Sequence, residues 1–504
     1  MPLAGCVGRA SARADAASFR RTWVQYPDPD PSAANAATIS TVCRAKDDGV
    51  NESAMASRRG RHRHRGSHRD LVGFGAGAPT LVIAVAAWLL TLTLGNRTFE
   101  TMSLSLAVLV SAGFLAGFLA LMPVRGALPA PDRTWLIFGG VFSVVVLLQI
   151  LPSETLARML GPYPEALWLH PEFNPRHWSP DIGASLRGWA AFVALFTIAW
   201  VAYGLPARRR NWLWLFLTAS VLFQALYGLL THAYQVETIF GIWERNNPGF
   251  VHGSFSNRNL FAAYLALLWP LAVAVWGIRD IPLLSRLPRE LRIAGAVITS
   301  AIIGAALLGS ASRLGSSAGL IGMALALLLW SRHQRLLRGG AVWPAYTALG
   351  AGLVAAVWYG LTPLAERLLA SGAGEVRFEV LALMLTQFPW EWWVHGVGLG
   401  GFEAAFKQIQ PGHITSWMDY AHNDLLQWLI EMGIVGLALL GVVVVALTRS
   451  ARLSTERVAL YAGLFALGLV ALGDFSWHIP ATQIVLAIFL GVLLRGRTRH
   501  RRSR

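Results

Sequence analysis

The stretch MDYAHNDLLQWLIEMGIVGLALL, Met418 to Leu440, brings a histidine, an asparagine and an aspartate to the start of a long apolar run. Imidazole titrates near neutral pH, so His422 can take a proton from a hydroxyl group, which is the work of a general base. Asn423, Gln427 and Glu431 follow at intervals of four and share one face of a helix. Glu431 would stand more than two turns into a membrane span, where an unpaired carboxylate is costly. That face therefore looks into a polar cavity or onto partner side chains. A hydrogen-bonded seam between helices meets the same requirement, and for His422 the alternative is an interfacial side chain satisfied by backbone.

Three arginines are candidate anion contacts. Arg313 lies in LLGSASRLGSSAGL, a short turn surrounded by Gly309, Ser310, Ser312, Gly315, Ser316 and Ser317. Small residues let helices or a ligand approach closely, and a permanently charged guanidinium fork suits phosphate or carboxylate. Snorkelling to the membrane surface is the plainer account. Arg377 lies in GEVRFEVLALMLTQFPW, where Phe378, Leu381, Met384 and Leu385 predict an amphipathic helix along the membrane face. Its acidic neighbours Glu375 and Glu379 suit surface pairing. Arg258 belongs to the polar stretch SFSNRNLFAAY. The aromatic cluster FPWEWW and the segment NPRHWSP add groups that suit sugars or a membrane interface equally.

The elements that must position these residues are membrane spans. The chain of 504 residues is 55% hydrophobic and only 14% charged, with a mean hydropathy of +0.48; a soluble domain carries roughly a quarter charged residues. Twelve apolar runs, 74–95, 103–122, 134–152, 184–205, 211–232, 259–278, 293–310, 315–331, 342–362, 424–447, 457–475 and 478–494, are each long enough to approach or cross ~30 Å of hydrocarbon. The expected fold class is an all-α polytopic membrane protein of about twelve helices, with a large loop, 363–423, between spans nine and ten. Residues 1–70 read as a basic tail without apolar periodicity, 71–494 as the transmembrane domain, and 495–504 as a second basic tail. A start near Met55 is one account of the first tail, and its residues 1–54 are expected to be dispensable.

Charge sets the orientation. Of the 43 lysines and arginines, 27 fall in Arg58–Arg69, Arg495–Arg504 and the short connections on the same side; only ten fall on the other side, whose connections are much longer. The positive-inside rule then places both termini in the cytoplasm and the long loops, with His422, Arg313 and Arg377, outside. This bias explains the net charge of +16 without nucleic acid. The two cysteines, Cys6 and Cys43, sit in the first tail, so neither a disulfide framework nor a cysteine metal site is expected. GVGLGG, Gly396–Gly401, lacks a preceding strand and reads as a turn rather than a dinucleotide fingerprint. With no GxxxxGK[ST], HExxH, CxxC or GxSxG in the chain, no cofactor or metal is expected, and a reaction would draw its driving force from an activated substrate. A twelve-span transporter is the rival class; it predicts repeats between halves and broken helices around ionisable residues, and no such repeat is visible.

GSFSNRNLFAAYLALLWPLA, LLGSASRLGSSAGL, VRFEVLALMLTQFPW, HGVGLGGFEAAF, YAHNDLLQWLIEMGIVGL and GDFSWHIPATQIVLAIFLGVL occur in this order. Together, over roughly Ser179 to Leu494, they resemble the O-antigen ligase and polymerase family of bacterial envelope glycan enzymes. The resemblance implies an inner-membrane glycosyltransferase that passes a glycan from undecaprenyl diphosphate to an acceptor hydroxyl at the periplasmic face, inverting and metal-independent, in lipopolysaccharide or exopolysaccharide assembly. It implies His422 as base, with Asn423 orienting it or the acceptor, and Arg313 and Arg377 on the diphosphate. Arg258 and Glu431 join these as candidate substrate contacts. The acceptor could be lipid A core, another glycan, as in a repeat-unit polymerase, or a protein, as in an O-oligosaccharyltransferase.

Overall fold

A computed structural model describes residues 77–92, 99–122, 133–152, 155, 177–245, 249–278, 280–281, 283–333, 373–415, 418–450 and 454–495. Within these, the chain forms α1 (Gly77–Leu92), α2 (Phe99–Leu121), α3 (Arg133–Gln149), α4 (Ile182–Gly204), α5 (Ala207–Ala233), α6 (Arg258–Ala274), α7 (Arg289–Gly309) and α8 (Arg313–His333). After the ninth expected span, 342–362, which lies outside the described residues, come α9 (Ala373–Gln387), α10 (Trp390–His395), α11 (Phe402–Lys407), α12 (Asp424–Arg449), α13 (Thr455–Ala471) and α14 (Pro480–Leu494). The described strands are a two-residue hairpin, β1 (Thr238–Ile239) and β2 (Trp243–Glu244). Helices thus occupy eleven of the twelve expected stretches. Seven of them, α2, α4, α5, α6, α7, α8 and α12, are long and apolar enough to cross a membrane; α1, α3 and α14 are shorter apolar helices. The first tail also lies outside the described residues.

Apolar runs of this length become helices because hydrocarbon offers no partner for backbone N–H and C=O groups, and a helix satisfies them within the segment. Side-chain caps mark where the helices begin: Asp181 accepts from Ala184 N, Asn257 from Asn259 N, Asn423 from Leu426 N and Ser454 from Arg457 N. Each satisfies a backbone donor that the first helical turn leaves unpaired.

The centre of the bundle is α6, whose apolar stretch is 83% buried against 22% for α4. Contacts through small residues bring its neighbours close. A Cβ added at Gly315 of α8 would stand 2.5 Å from Ala262 Cβ, and one at Gly463 of α13 would stand 2.2 Å from Leu267 O. Lipid gives helices no hydrophobic reason to associate, so close backbone packing of this kind supplies the attraction. Large apolar side chains left exposed, such as Phe114 and Phe118 on α2, Ile137 on α3 and Val442 on α12, mark the perimeter that meets lipid.

At the arginine-rich end, Arg210 of α5 pairs with Glu456 of α13, whose carboxylate also accepts from Trp214 Nε1 at 2.8 Å. At the opposite end α6, α8 and α12 begin. If the charge bias sets topology, a periplasm-active reporter fused at residue 336 should be silent, and one fused near residue 405 should be active; the reverse pattern would overturn the orientation.

Candidate active site

The turn that carries His422 is clamped on several sides. His422 has φ of +52°, a left-handed conformation that β-carbon sterics disfavour and that persists only when its surroundings over-determine it. Ala421 N donates to Gln427 Oε1 at 2.9 Å, Asn423 Nδ2 donates to Leu472 O at 2.9 Å, and Asp424 N donates to Asp474 O at 3.2 Å. The His422 and Phe475 rings meet in a T-shaped contact with centroids 5.1 Å apart, and Phe475 stacks on Tyr420 at 4.4 Å. Its Nδ1 lies 3.8 Å from Asp474 Oδ1, beyond hydrogen-bond range, and has no hydrogen-bond partner among the described residues. This nitrogen is buried and faces the carboxylate, which can stabilise charge on the ring when the ring takes a proton.

Asn423 is fully engaged. Its oxygen caps α12 and its amide ties the turn to Leu472, so it orients His422 through the backbone.

Glu431, expected as a substrate contact, is held inside the protein. It is 1% exposed, with Oε2 accepting from Gly400 N at 2.9 Å and Oε1 from Gln427 Nε2 at 3.0 Å. These are the contacts of an internal seam. The cause lies two residues on, where Gly433 (φ +62°, ψ −161°) breaks α12. The break releases the carbonyls of Ile430 and Glu431, which accept from Val397 N at 2.7 Å and Gly398 N at 3.1 Å. The expected turn at Gly396–Gly401 therefore docks its backbone into a helix break, and Gln149 of α3 secures it from the other side, donating to Glu431 O and accepting from Leu399 N. A transporter uses such a break to line a cavity; here protein backbone fills it. Gly436 completes the pattern, because its carbonyl accepts from Trp428 Nε1 and an added Cβ would crowd that indole.

Two of the arginines stand at neighbouring helix starts. Arg258 opens α6 and lies over the ring of Phe250 at 4.2 Å; its Nη1 is buried without a hydrogen-bond partner among the described residues. Arg313 opens α8 and is exposed, preceded by Ala311 at φ +49°. The contact between Gly315 and Ala262 sets these two helix starts side by side, and an added Cβ at Gly473 would stand 2.9 Å from Leu314. The residue after Gly473 is Asp474, so the His422 turn and the start of α8 share one corner. The third arginine, Arg377, belongs to α9 by backbone, and its side chain lies outside the described residues.

The outer segment is built differently from its predicted face. In α9 the buried residues are Val380 and Met384, joined by Phe388 just beyond, while Leu385 is 60% exposed. Val380, Met384 and Phe388 pack with Trp392, Phe402, Phe406, Ala421 and Ile430, so this small apolar cluster rests on the His422 turn. Glu379 pairs with His413 at 2.6 Å. Among the candidate stacking aromatics, Trp392 is fully buried and Trp178 donates to Gly396 O at 2.7 Å, whereas Trp390 is 66% exposed.

Beside His422 the structure places a buried acid that hydropathy and spacing do not single out. Asp424 is fully buried and accepts from His478 Nδ1 at 2.7 Å, Trp477 N at 2.9 Å and Ser476 Oγ at 3.3 Å. Burial opposes a charge on His478, but the hydrogen bond and the charge of Asp424 outweigh it and raise its pKa above 6.5. The signal was present in GDFSWH, where an acid and a histidine sit between two apolar runs. The loop before α6 carries another buried histidine, here paired with an arginine. Arg245 Nε donates to His252 Nε2 at 3.0 Å, and His252 Nδ1 faces Phe255 O at 2.7 Å. Burial, then the neighbouring guanidinium, lowers the His252 pKa to about 4, so this histidine stays neutral and serves to brace the loop under Arg258.

No curated protein matches the chain. The O-antigen ligase family model matches residues 298–441. That stretch runs from within α7 to Gly441 of α12 and contains Arg313, Arg377, His422, Asn423 and Glu431; Arg258, Asp474 and His478 lie beyond it. With its apolar helices and this match, the chain is a multi-pass membrane protein that carries an O-antigen ligase family domain over residues 298–441.

Proposed function

We propose that this chain transfers a glycan from undecaprenyl diphosphate to an acceptor hydroxyl at the periplasmic face of the inner membrane. The observation that carries this reading is His422, with an unbonded ring nitrogen 3.8 Å from Asp474, at a helix mouth that adjoins the starts of two arginine-led helices. His422 takes the proton of the acceptor hydroxyl as its oxygen attacks the anomeric carbon. The bond from that carbon to the diphosphate oxygen breaks, the electron pair leaves with the diphosphate, and the configuration inverts. The imidazolium then returns its proton to water.

Asp474 supports the imidazolium as it forms, since a carboxylate near a base stabilises the charge that develops there. The leaving diphosphate gathers negative charge at the membrane surface. Arg313 and Arg258, together with Arg377 from α9, oppose it with fixed cations that gain strength as the charge grows. In this reading the arginines do the neutralising work that a divalent cation does elsewhere. The acceptor is a core glycan of lipopolysaccharide, with a growing polysaccharide or a protein as the alternatives within the same chemistry. The site and the family match fit a ligase and a polymerase equally.

The test is transfer from purified undecaprenyl-diphosphate glycan by the protein in proteoliposomes, with EDTA present. The reading expects undecaprenyl diphosphate to be released in step with glycan joined to the acceptor. Abolition by EDTA would overturn the metal-free mechanism, and absence of transfer to all three acceptor classes would overturn the function. Arg313→Ala should cut kcat/KM for the donor by about 10–100-fold, the worth of one charge-assisted contact. Arg313→Lys should recover only part of that, because a point charge cannot replace a planar fork. A wild-type value in Arg313→Ala would remove Arg313 from the site.

A further inference from the structure

His422 does not hold its own conformation. Its positive φ is imposed by the residues on either side of it, and the segment Leu472–His478 supplies most of the contacts. Five hydrogen bonds join Asn423 and Asp424 to that segment: Asn423 Nδ2 to Leu472 O, Asp424 N to Asp474 O, and the three donors of Ser476, Trp477 and His478 to the Asp424 carboxylate. Of these donors only His478 can carry a charge to balance a fully buried carboxylate. The His478 ring also lies 5.2 Å from Tyr420, which in turn stacks on the Phe475 that supports His422.

We propose that Asp424 and His478 are a positioning pair, which sets the turn of His422 from the mouth of the last helix without touching the reacting atoms. The pair lies partly outside the matched segment, since His478 falls beyond residue 441. The ionisable groups around His478 are Asp424, Tyr420, Glu431 and Asp419, a largely acidic set. Such surroundings repel a diphosphate, so they argue for an internal tie rather than a second anion contact. The role in catalysis rests on the reading of His422 as the base, whereas the effect on the His422 turn does not.

The experiment uses the full-length protein in proteoliposomes with two replacements. His478→Leu removes the donor to Asp424. His478→Asn leaves an N–H donor close to the place of Nδ1–H but cannot ionise or act as a base. Two quantities are read for each: the rate at which diethyl pyrocarbonate modifies His422, followed by peptide mass spectrometry, and kcat and donor KM for transfer. His478→Leu should speed modification of His422 and lower kcat by about 10–100-fold, the usual cost of misplacing a reacting group by an ångström or so, with donor KM little changed. His478→Asn should restore both quantities most of the way and give a pH profile without the ionisation of His478.

Unchanged His422 modification in His478→Leu would overturn the pair. So would a His478→Asn protein as inactive as His478→Leu with His422 normally protected, because that result assigns His478 a direct chemical part. If modification responds as expected while His422→Ala keeps full turnover, the positioning pair stands and the base assignment alone fails.

Discussion

Replacing His422 with alanine should lower transfer by about 10²–10⁴-fold, the usual worth of a positioned general base, with the protein still inserted and folded. An acceptor hydroxyl is a poor nucleophile until its proton is taken, so the base acts on the step that forms the bond. The His422 Nδ1 makes no hydrogen bond among the described residues, so alanine breaks no hydrogen bond there and gives up mainly the ring contact with Phe475. The turn around it is held by Asn423, Asp424 and Gln427 through contacts that alanine leaves intact.

Donor affinity should therefore change much less than kcat, because the arginines that meet the diphosphate stand on other helices. The check is the proteoliposome assay with kcat and donor KM measured separately. Near-normal kcat would show that His422 is an interfacial side chain and nothing more. A raised KM with normal kcat would instead make it a donor contact.

The contrast with Glu431 is instructive. From sequence, both residues are ionisable groups at or inside an apolar run, and both invite a functional reading. Burial and partners separate them: His422 has an unbonded nitrogen facing Asp474, while Glu431 is fully engaged by Gly400 and Gln427. The i, i+4 spacing brings Gln427 and Glu431 together, while Asn423 caps the helix. What the face of Glu431 meets could not be read, because its partner is the backbone of a glycine turn some thirty residues earlier.

Helix positions were legible because hydropathy dictates them directly, and four helix starts coincide with a capping side chain. The face of α9 was not. Of the predicted face, Met384 is buried and Leu385 is exposed; Val380 and Phe388 obey helical spacing equally well, and only the packing of α10 and α11 selects them. The Asp424–His478 pair joins residues 54 positions apart, and no local periodicity links them. Hydropathy also hides the break in α12, since the run across Gly433 is continuous in apolar character.

That break is the basis of the second large effect. Gly433→Ala should destabilise the protein by about 4 kcal/mol or more, at the severe end for a single substitution. At φ +62° and ψ −161° the backbone is in a region open almost only to glycine, and another residue there costs of order 1–3 kcal/mol before any contact is counted. The added Cβ would then stand 2.3 Å from Val394 O and 2.7 Å from Gly396 N. These are backbone atoms, which cannot swing aside as a flexible side chain does.

If the glycine turn moves away, Val397 N, Gly398 N and Gly400 N lose the carbonyls and carboxylate of residues 430 and 431. Each unpaired buried group costs about 1–3 kcal/mol. If α12 straightens instead, the same groups lose the same partners. Either way the His422 turn loses its support, since Gln427 links Ala421 N to Glu431.

Gly441 provides the control within the same helix. An added Cβ there meets nothing within 4 Å, and alanine is favoured over glycine in a helix by about 1 kcal/mol. Gly441→Ala should therefore match or exceed the wild-type thermal midpoint in detergent, while Gly433→Ala should lose it by many degrees, together with transfer activity. Equal midpoints for the two variants would show that the break in α12 is incidental. A loss confined to Gly433→Ala would show that the E-x-G-x-x-G pattern of Glu431, Gly433 and Gly436 encodes a seat for the turn at Gly396–Gly401 and, through it, the placement of His422.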